Sequence, residues 1–269
     1  MKTELDRKVV LVTGASGGIG KELVQKFSEE GARVAIHFHK NETSARELAH
    51  RFPACRVFHA DLRNENEVAT LWTEIEIELG AVEILIANSG IYPSAKVPIH
   101  EMTLQQWTTT LDANLTATFL CFREFFRGIA RHHLTSPAGV IIGSTAAVFG
   151  EAFHSDYAAS KAAMTYGLMS SLKNELPHIA PQGRINAICP TWTLTPMAED
   201  FIKDPAAVIK TLQTIPLRKL VRPGDVANLA VFLSSSVVAG HISGQIMNLA
   251  GGMEGRVLYQ PSEIDISKV

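Results

Sequence analysis

The chain of 269 residues is poor in cysteine: Cys55, Cys121 and Cys189 are scattered and form no CxxC pair. An odd, dispersed set excludes a disulfide framework and points to reduced thiols in a cytoplasmic protein. No charge sign dominates, since 25 Lys+Arg stand against 27 Asp+Glu for a formal net charge of −2. That balance argues against a general nucleic-acid binder. An unbroken apolar run long enough for a bilayer is also missing, because the longest stretch (226–242) is interrupted by Asn228, Ser234, Ser235, Ser236, Gly240 and His241. The charged start Met1-Lys2-Thr3-Glu4-Leu5-Asp6 runs straight into a strand-like segment, so neither a secretory leader nor membrane association is expected. What is present is a globular composition: 46% hydrophobic and 19% charged residues exclude disorder and coiled coil.

Short apolar, β-branched runs alternate with helical patterns along the whole chain. Strands are predicted at 9–12, 34–38, 57–59, 84–87, 140–142, 185–188 and 245–248. The first is continuous rather than alternating, as expected of a strand buried on both faces. Between them the spacing predicts a helix carrying Leu23, Val24 and Phe27 and ended by Gly31 at its C′ position. Further helices follow at 42–51, 65–79 (closed by Gly80), 104–132, 155–176, 198–212 and 225–233. Seven strands alternating with helices argue for an α/β protein with a parallel sheet covered on both faces, and no linker divides 1–269 into two domains. An eightfold barrel is the competing architecture, but its phosphate site normally comes late in the chain, whereas here a glycine-rich turn follows the first strand.

That turn reads Thr13-Gly14-Ala15-Ser16-Gly17-Gly18-Ile19-Gly20 and leads into a helix. Glycines let the backbone approach a pyrophosphate, and the helix N-terminus offers N–H donors and positive potential. Thr13, Gly14, Gly18 and Gly20 match T-G-x-x-x-G-x-G, and the turn resembles that of the short-chain dehydrogenase/reductase family. Because Gly17 is present, T-G-x-x-G-x-x-G, the pattern of the family's extended branch, fits as well. The chain length favours the shorter, single-domain branch. The resemblance implies a Rossmann-type doubly wound sheet, with Gly14, Ser16, Gly18, Ile19 and Gly20 cradling the cofactor.

Tyr157 and Lys161 form Y-x-x-x-K within a helical pattern, so phenol and ammonium share one helix face. A neighbouring cation favours the phenolate and brings proton transfer nearer neutral pH. Ser144 lies thirteen positions upstream of Tyr157, and Asn114 stands in Asp112-Ala113-Asn114-Leu115. By resemblance, Ser144 orients the substrate oxygen, Asn114 supports a proton-relay water, Tyr157 exchanges the proton, and Lys161 holds the nicotinamide ribose and depresses the tyrosine pKa. The implied reaction is hydride transfer between nicotinamide and a carbonyl or alcohol carbon.

The resemblance also assigns cofactor contacts to Asp61 and Leu62 after the third strand, to Asn88-Ser89-Gly90, to Pro190 and to Thr195. Asp61 is equally readable as a helix N-cap. Relatives that prefer NAD carry an acid at the end of the second strand; here that position is Phe38, followed by His39 and Lys40, so NADP(H) is favoured over NAD(H). Gly17, where many NADP users have arginine, speaks for NAD. His37 and His39 could be imagined as metal ligands, but no third ligand has suitable spacing and no metal is expected.

Residues 216–227 and 243–252 look like the C-terminal region of 3-oxoacyl-carrier-protein-reductase-like members. The substrate remains open among acyl thioesters, sugars, steroids, quinones and aromatic ketones. Residues 191–212 are expected to cover it, with 148–154 opposite, and Phe149, Phe153, His154, Trp192 and Met197 are pocket candidates that could equally be core. Arg123, Arg127 and Arg131 form a basic stripe that could dock an acidic acyl carrier or simply be solvated, and His132-His133 read as surface residues. The small residues Ser155, Ala158, Ala159, Ala162 and Ala163 suit a homodimer or homotetramer contact, or internal packing. Residues 253–269 are expected to reach across a subunit interface or be disordered. The competing function is a catalytically silent nucleotide sensor; such relatives typically lose the tyrosine or lysine that this chain keeps.

Overall fold

The computed structural model describes residues 2–268. β1 (Val9–Val12) runs through the glycine turn into α1 (Gly18–Glu29), which ends where Gly31 adopts φ +80°. β2 (Arg33–Phe38), α2 (Glu42–Arg51), β3 (Arg56–His59), α3 (Glu65–Glu78) and β4 (Ile84–Ala87) follow. The expected helix over 104–132 is two helices, α4 (Leu104–Leu111) and α5 (Ala117–His132), joined without a break by a wider π turn at Asp112–Thr116. After β5 (Ala138–Ile142) comes a short helix that the sequence pattern did not signal, α6 (Ala146–Phe149). The second long helix is α7 (Ser155–Ala162) and α8 (Met169–Glu175), again joined through a π turn, Ala163–Leu168.

β6 (Arg184–Pro190) is longer than expected. The single helix expected at 198–212 is broken into a 3₁₀ turn at Pro196–Ala198, α9 (Glu199–Ile202) and α10 (Pro205–Leu212). Pro196 and Pro205 lack the N–H that would continue a preceding helix, and Asp204 restarts the chain by capping Ala206 and Ala207. α11 begins at Pro223, not Asp225, and runs to Ser234; β7 (Ile246–Leu249) closes the order.

All seven strands are parallel, in the order β3-β2-β1-β4-β5-β6-β7. This is the doubly wound Rossmann-type sheet. Alternate residues of β1 explain its continuous apolar run: Val9 and Leu11 face α3 and α5, where Leu71, Ile75, Phe122 and Phe125 pack, while Val10 and Val12 face α1 and α11 beside Leu23, Phe27 and Val226. The order in which strands are added reverses between β1 and β4, so the carboxyl ends of these strands open a crevice, which is where ligands bind in such sheets.

A smaller cluster covers one side of the crevice: Val208, Leu212, Ile215 and Leu220 with Trp192, Phe201, Met253 and Ile264. The segment after Gly252 folds back onto its own chain. The Leu258 amide donates to the Gln213 carbonyl (2.8 Å), the Tyr259 hydroxyl donates to the Pro216 carbonyl (3.1 Å), and the Arg218 guanidinium lies 4.9 Å over the Tyr259 ring. Among the described residues, no helix is long and apolar enough to cross a membrane.

Candidate active site

The glycine turn is held at both ends of the first strand pair. Gly14 has φ +61°, a conformation that favours glycine, and a Cβ on Gly20 would sit 2.3 Å from the Gly14 carbonyl oxygen. Thr13 Oγ1 accepts from the amides of Asn88 (2.9 Å) and Ser89 (3.0 Å), and the Asn88 amide side chain donates to the Thr13 carbonyl (2.9 Å). Beneath the turn, His37 Nδ1 accepts from the Gly14 amide (3.0 Å), which leaves Nε2 to donate to the Ala60 carbonyl (3.0 Å). Burial holds this imidazole neutral, with its pKa lowered to about 4. Both nitrogens are thus committed, so His37 has no free lone pair for a metal. Among the described residues, no group of three His, Cys, Asp or Glu side chains could hold one.

The first turn of α1 carries no acidic residue, and its N-cap, Gly17, supplies no side-chain acceptor. Its amide donors and positive dipole end are therefore left for an external anion, which fits the pyrophosphate of a dinucleotide. Ser16, Gly18, Ile19 and Gly20 line the adjoining cleft of about 640 Å³, as do His39, Lys40, Asp61, Leu62, Asn88, Ser89, Gly90, Pro190 and Thr195.

Phe38 does not line it. Its ring is 7% exposed and packs in the core with an edge-on contact to His59 (5.3 Å between centroids). Burial of an apolar ring outweighs a place on a polar wall, so the expected contact at Phe38 is corrected: His37, His39, Lys40 and Asn41 form the wall there. Asp61 is no helix cap either, since Asn64 caps α3 by accepting from Asn66 and Glu67. Instead Arg63, which the sequence reading passed over, grips Asp61 with a fork of 2.6 Å (Nη2–Oδ2) and 2.9 Å (Nε–Oδ1), holding its carboxyl down to about 2.

At the other end of the cleft, α7 presents Tyr157 and Lys161, and Ser144 stands just past β5. Two turns of helix are aligned by Asp156, wholly buried, whose carboxylate accepts from the Tyr157 amide (2.9 Å) and from the Thr110 hydroxyl of α4 (2.8 Å). Ser144 accepts from the Ala146 amide (3.1 Å) and lines the same cleft as Tyr157. Lys161 Nζ donates to the Ile142 carbonyl (3.0 Å) and lies 5.8 Å from the tyrosine ring centroid.

Burial pushes Tyr157 up to about 12 and is opposed first by Ser144, while burial pulls Lys161 down to about 8. Desolvation favours the neutral form of each group. Asn114 sits in the π turn, fully buried. Its side chain donates to the Ile91 carbonyl (3.1 Å) and Ser160 Oγ (3.0 Å) and accepts from the Ile91 amide (2.8 Å), so it faces the scaffold and not the cleft.

A family profile described as enoyl-(acyl carrier protein) reductase matches residues 14–254. The chain belongs to the short-chain dehydrogenase/reductase family. It is 32% identical over 255 residues to a 3alpha-hydroxysteroid dehydrogenase of Mediterraneibacter gnavus, covering 92% of this chain and 97% of the relative. It is 30% identical over 258 residues to a 3-oxoacyl-[acyl-carrier-protein] reductase of Synechocystis sp., covering 93% and 98%. The crystal structure of gox2181 superposes with a TM-score of 0.87 at 27% identity, over 93% of this chain and 97% of that one. The protein is therefore an oxidoreductase of a family that uses NAD(P)(H).

The substrate wall of this short-chain dehydrogenase/reductase differs from the one expected. Trp192 and Met197 line the cleft, but Phe149 (42% exposed) and Phe153 (52%) face away from it, and His154 is buried behind Tyr92 with ring centroids 4.6 Å apart. Tyr92 and Glu151 take the places those residues leave. Tyr92 lies two residues past Asn88-Ser89-Gly90, a signal that could have found it; Glu151 falls within the 148–154 segment expected opposite the substrate but was not among the residues singled out there. The arginine stripe is matched by carboxylates: Arg123 with Glu65 (2.7 Å), Arg127 with Glu124 (2.7 Å) and Arg131 with Glu76 (2.6 Å).

Proposed function

We propose that the protein is an NADP(H)-dependent ketone reductase in which Tyr157, Lys161 and Ser144 carry the catalytic roles and Asn114 acts as a positioning residue behind them. The observation that carries this reading is that Ser144, Tyr157 and Lys161 share one wall of a cleft whose far end is the glycine turn. When bound, the nicotinamide supplies or takes the hydride. Tyr157, protonated at neutral pH, gives its proton to the substrate oxygen in reduction. Ser144 hydrogen-bonds the same oxygen and polarises it. Lys161 holds the ribose hydroxyls and carries the proton path onward, and Asn114 ties the π turn to Ser160 on α7 and to the Ile91 backbone.

NADP(H) is favoured because no carboxylate occupies the Phe38 position, while His39, Lys40 and Arg63 surround that end of the cleft. Asp61 is already neutralised by Arg63. Gly17 supplies no cation beside the turn, and that observation keeps NAD(H) as the second reading. The names of the relatives support a carbonyl or secondary alcohol, a 3-oxoacyl thioester included. Docking of an acyl carrier on the arginine stripe is the weaker variant, since each arginine already has an acidic partner. Half-buried Ala158, Ala159, Ala162 and Ala163 beside exposed Phe119 and Tyr166 support a homodimer or homotetramer, which light scattering would register as two or four chain masses. Three buried, unpaired cysteines support a reducing, cytoplasmic setting.

Tyr157→Phe is the direct test. Turnover of any ketone the wild type reduces should fall at least about 10²-fold with NADPH affinity kept within about twofold. Undiminished turnover would refute the role of Tyr157.

A further inference from the structure

Glu151 is the one acidic side chain at the substrate end of the cleft among the described residues that line it. It follows Gly150, whose φ of +74° ends α6 and turns the chain across the crevice. The Tyr92 hydroxyl donates to Glu151 Oε1 at 2.7 Å, and Oε2 has no partner among the described residues. The pair therefore fixes a carboxylate beside the reacting group and leaves one oxygen to accept a further hydrogen bond.

The walls next to it are flat. The Tyr92 ring meets Tyr157 edge-on at 5.0 Å and Trp192 at 5.8 Å, and Trp192 is itself stacked on Phe201 at 3.9 Å and 13°. Rigid aromatic faces on two sides suit a ring better than a flexible chain. The cations lining the cleft are at its cofactor end (His39, Lys40, Arg63) or are committed beneath Tyr157 (Lys161), so nothing stands ready to pair an anionic substituent. In a partly desolvated site a like charge is strongly disfavoured, whereas a hydroxyl finds the free carboxylate oxygen.

We propose that Glu151, held in place by Tyr92, is a specificity-determining residue that selects an uncharged cyclic ketone or alcohol bearing a hydroxyl donor remote from the reacting carbon, and rejects the same ring bearing a carboxylate. This rests on the reading of Tyr157 as the proton donor. It favours a free cyclic substrate over a carrier-bound acyl chain.

The test measures kcat/KM with NADPH for cyclohexanone, 4-hydroxycyclohexanone and 4-oxocyclohexanecarboxylate. The wild type should prefer the hydroxyl ketone to the carboxylate ketone by roughly tenfold or more, about 1.4 kcal/mol. Glu151→Gln, which keeps shape and removes charge, should shrink that ratio below about threefold, mainly by lowering KM for the carboxylate ketone. Tyr92→Phe, which loses the hydroxyl but keeps the carboxylate, should retain most of the discrimination. A ratio unchanged in Glu151→Gln, or a wild type that prefers the anion, overturns the inference alone. Turnover of none of the three while NADPH still binds overturns the proposed substrate class. Loss of the Tyr157→Phe defect or failure to bind NADPH strikes instead at the reductase reading on which the inference stands.

Discussion

His37 ties the cofactor turn to the sheet through two hydrogen bonds, and its neutrality has a consequence for acid stability. In the unfolded chain an imidazole titrates near 6.5, whereas in the fold it does so near 4. Between those values the unfolded state binds more protons, so stability is full above about 6.5 and is lost as pH falls toward 4, by up to about 3 kcal/mol. His37→Phe should melt at a temperature that depends less steeply on pH over that window, as thermal denaturation at pH 7 and pH 4.5 would show; equal slopes would contradict the assignment. At this scale the sequence was readable where a residue's role follows from local spacing: Ser144, Tyr157 and Lys161 do meet. It misled at Phe38, because strand alternation together with the pull of burial turned the ring into the core. It was silent on Arg63 and did not single out Glu151 within 148–154, whose partner Tyr92 is brought in from elsewhere along the chain.

Elements position these side chains through backbone details that propensity does not encode. The two π turns, Asp112–Thr116 and Ala163–Leu168, lie inside helical patterns whose ends were legible and whose interiors were not. By contrast the glycine turn was legible because only glycine can satisfy it. Gly20→Ala would press a methyl to within 2.3 Å of a carbonyl oxygen that cannot retreat. It should abolish NADPH binding, read by calorimetry, more severely than it lowers the melting temperature. Arg184, 3% exposed at the start of β6, donates to the carbonyls of Leu233 (2.6 Å), Ser234 (3.1 Å) and Ala239 (3.1 Å), closing the end of α11. Arg184→Leu leaves those buried acceptors without a donor and should cost about 3 kcal/mol in urea unfolding. A loss under about 1 kcal/mol would show that water replaces the guanidinium.

For the molecule as a whole, alternation of apolar strands and amphipathic helices was enough to anticipate a doubly wound parallel sheet, since each strand must be covered on both faces. The cover of the crevice was anticipated at 191–212, but not its form: prolines cut 196–212 into pieces, and the segment after Gly252 returns to brace them through Leu258 and Tyr259. That brace links the C-terminal segment to the substrate end of the cleft, whereas the charge at the opposite end bears on the choice of cofactor. The central claim is that this cleft binds a phosphorylated dinucleotide, and calorimetric titration of the purified protein with NADPH and, separately, NADH tests it most directly. The account predicts NADPH bound at least about tenfold more tightly, about 1.4 kcal/mol. Tighter binding of NADH would contradict the reading of His39, Lys40 and Arg63, and binding of neither would contradict the account as a whole.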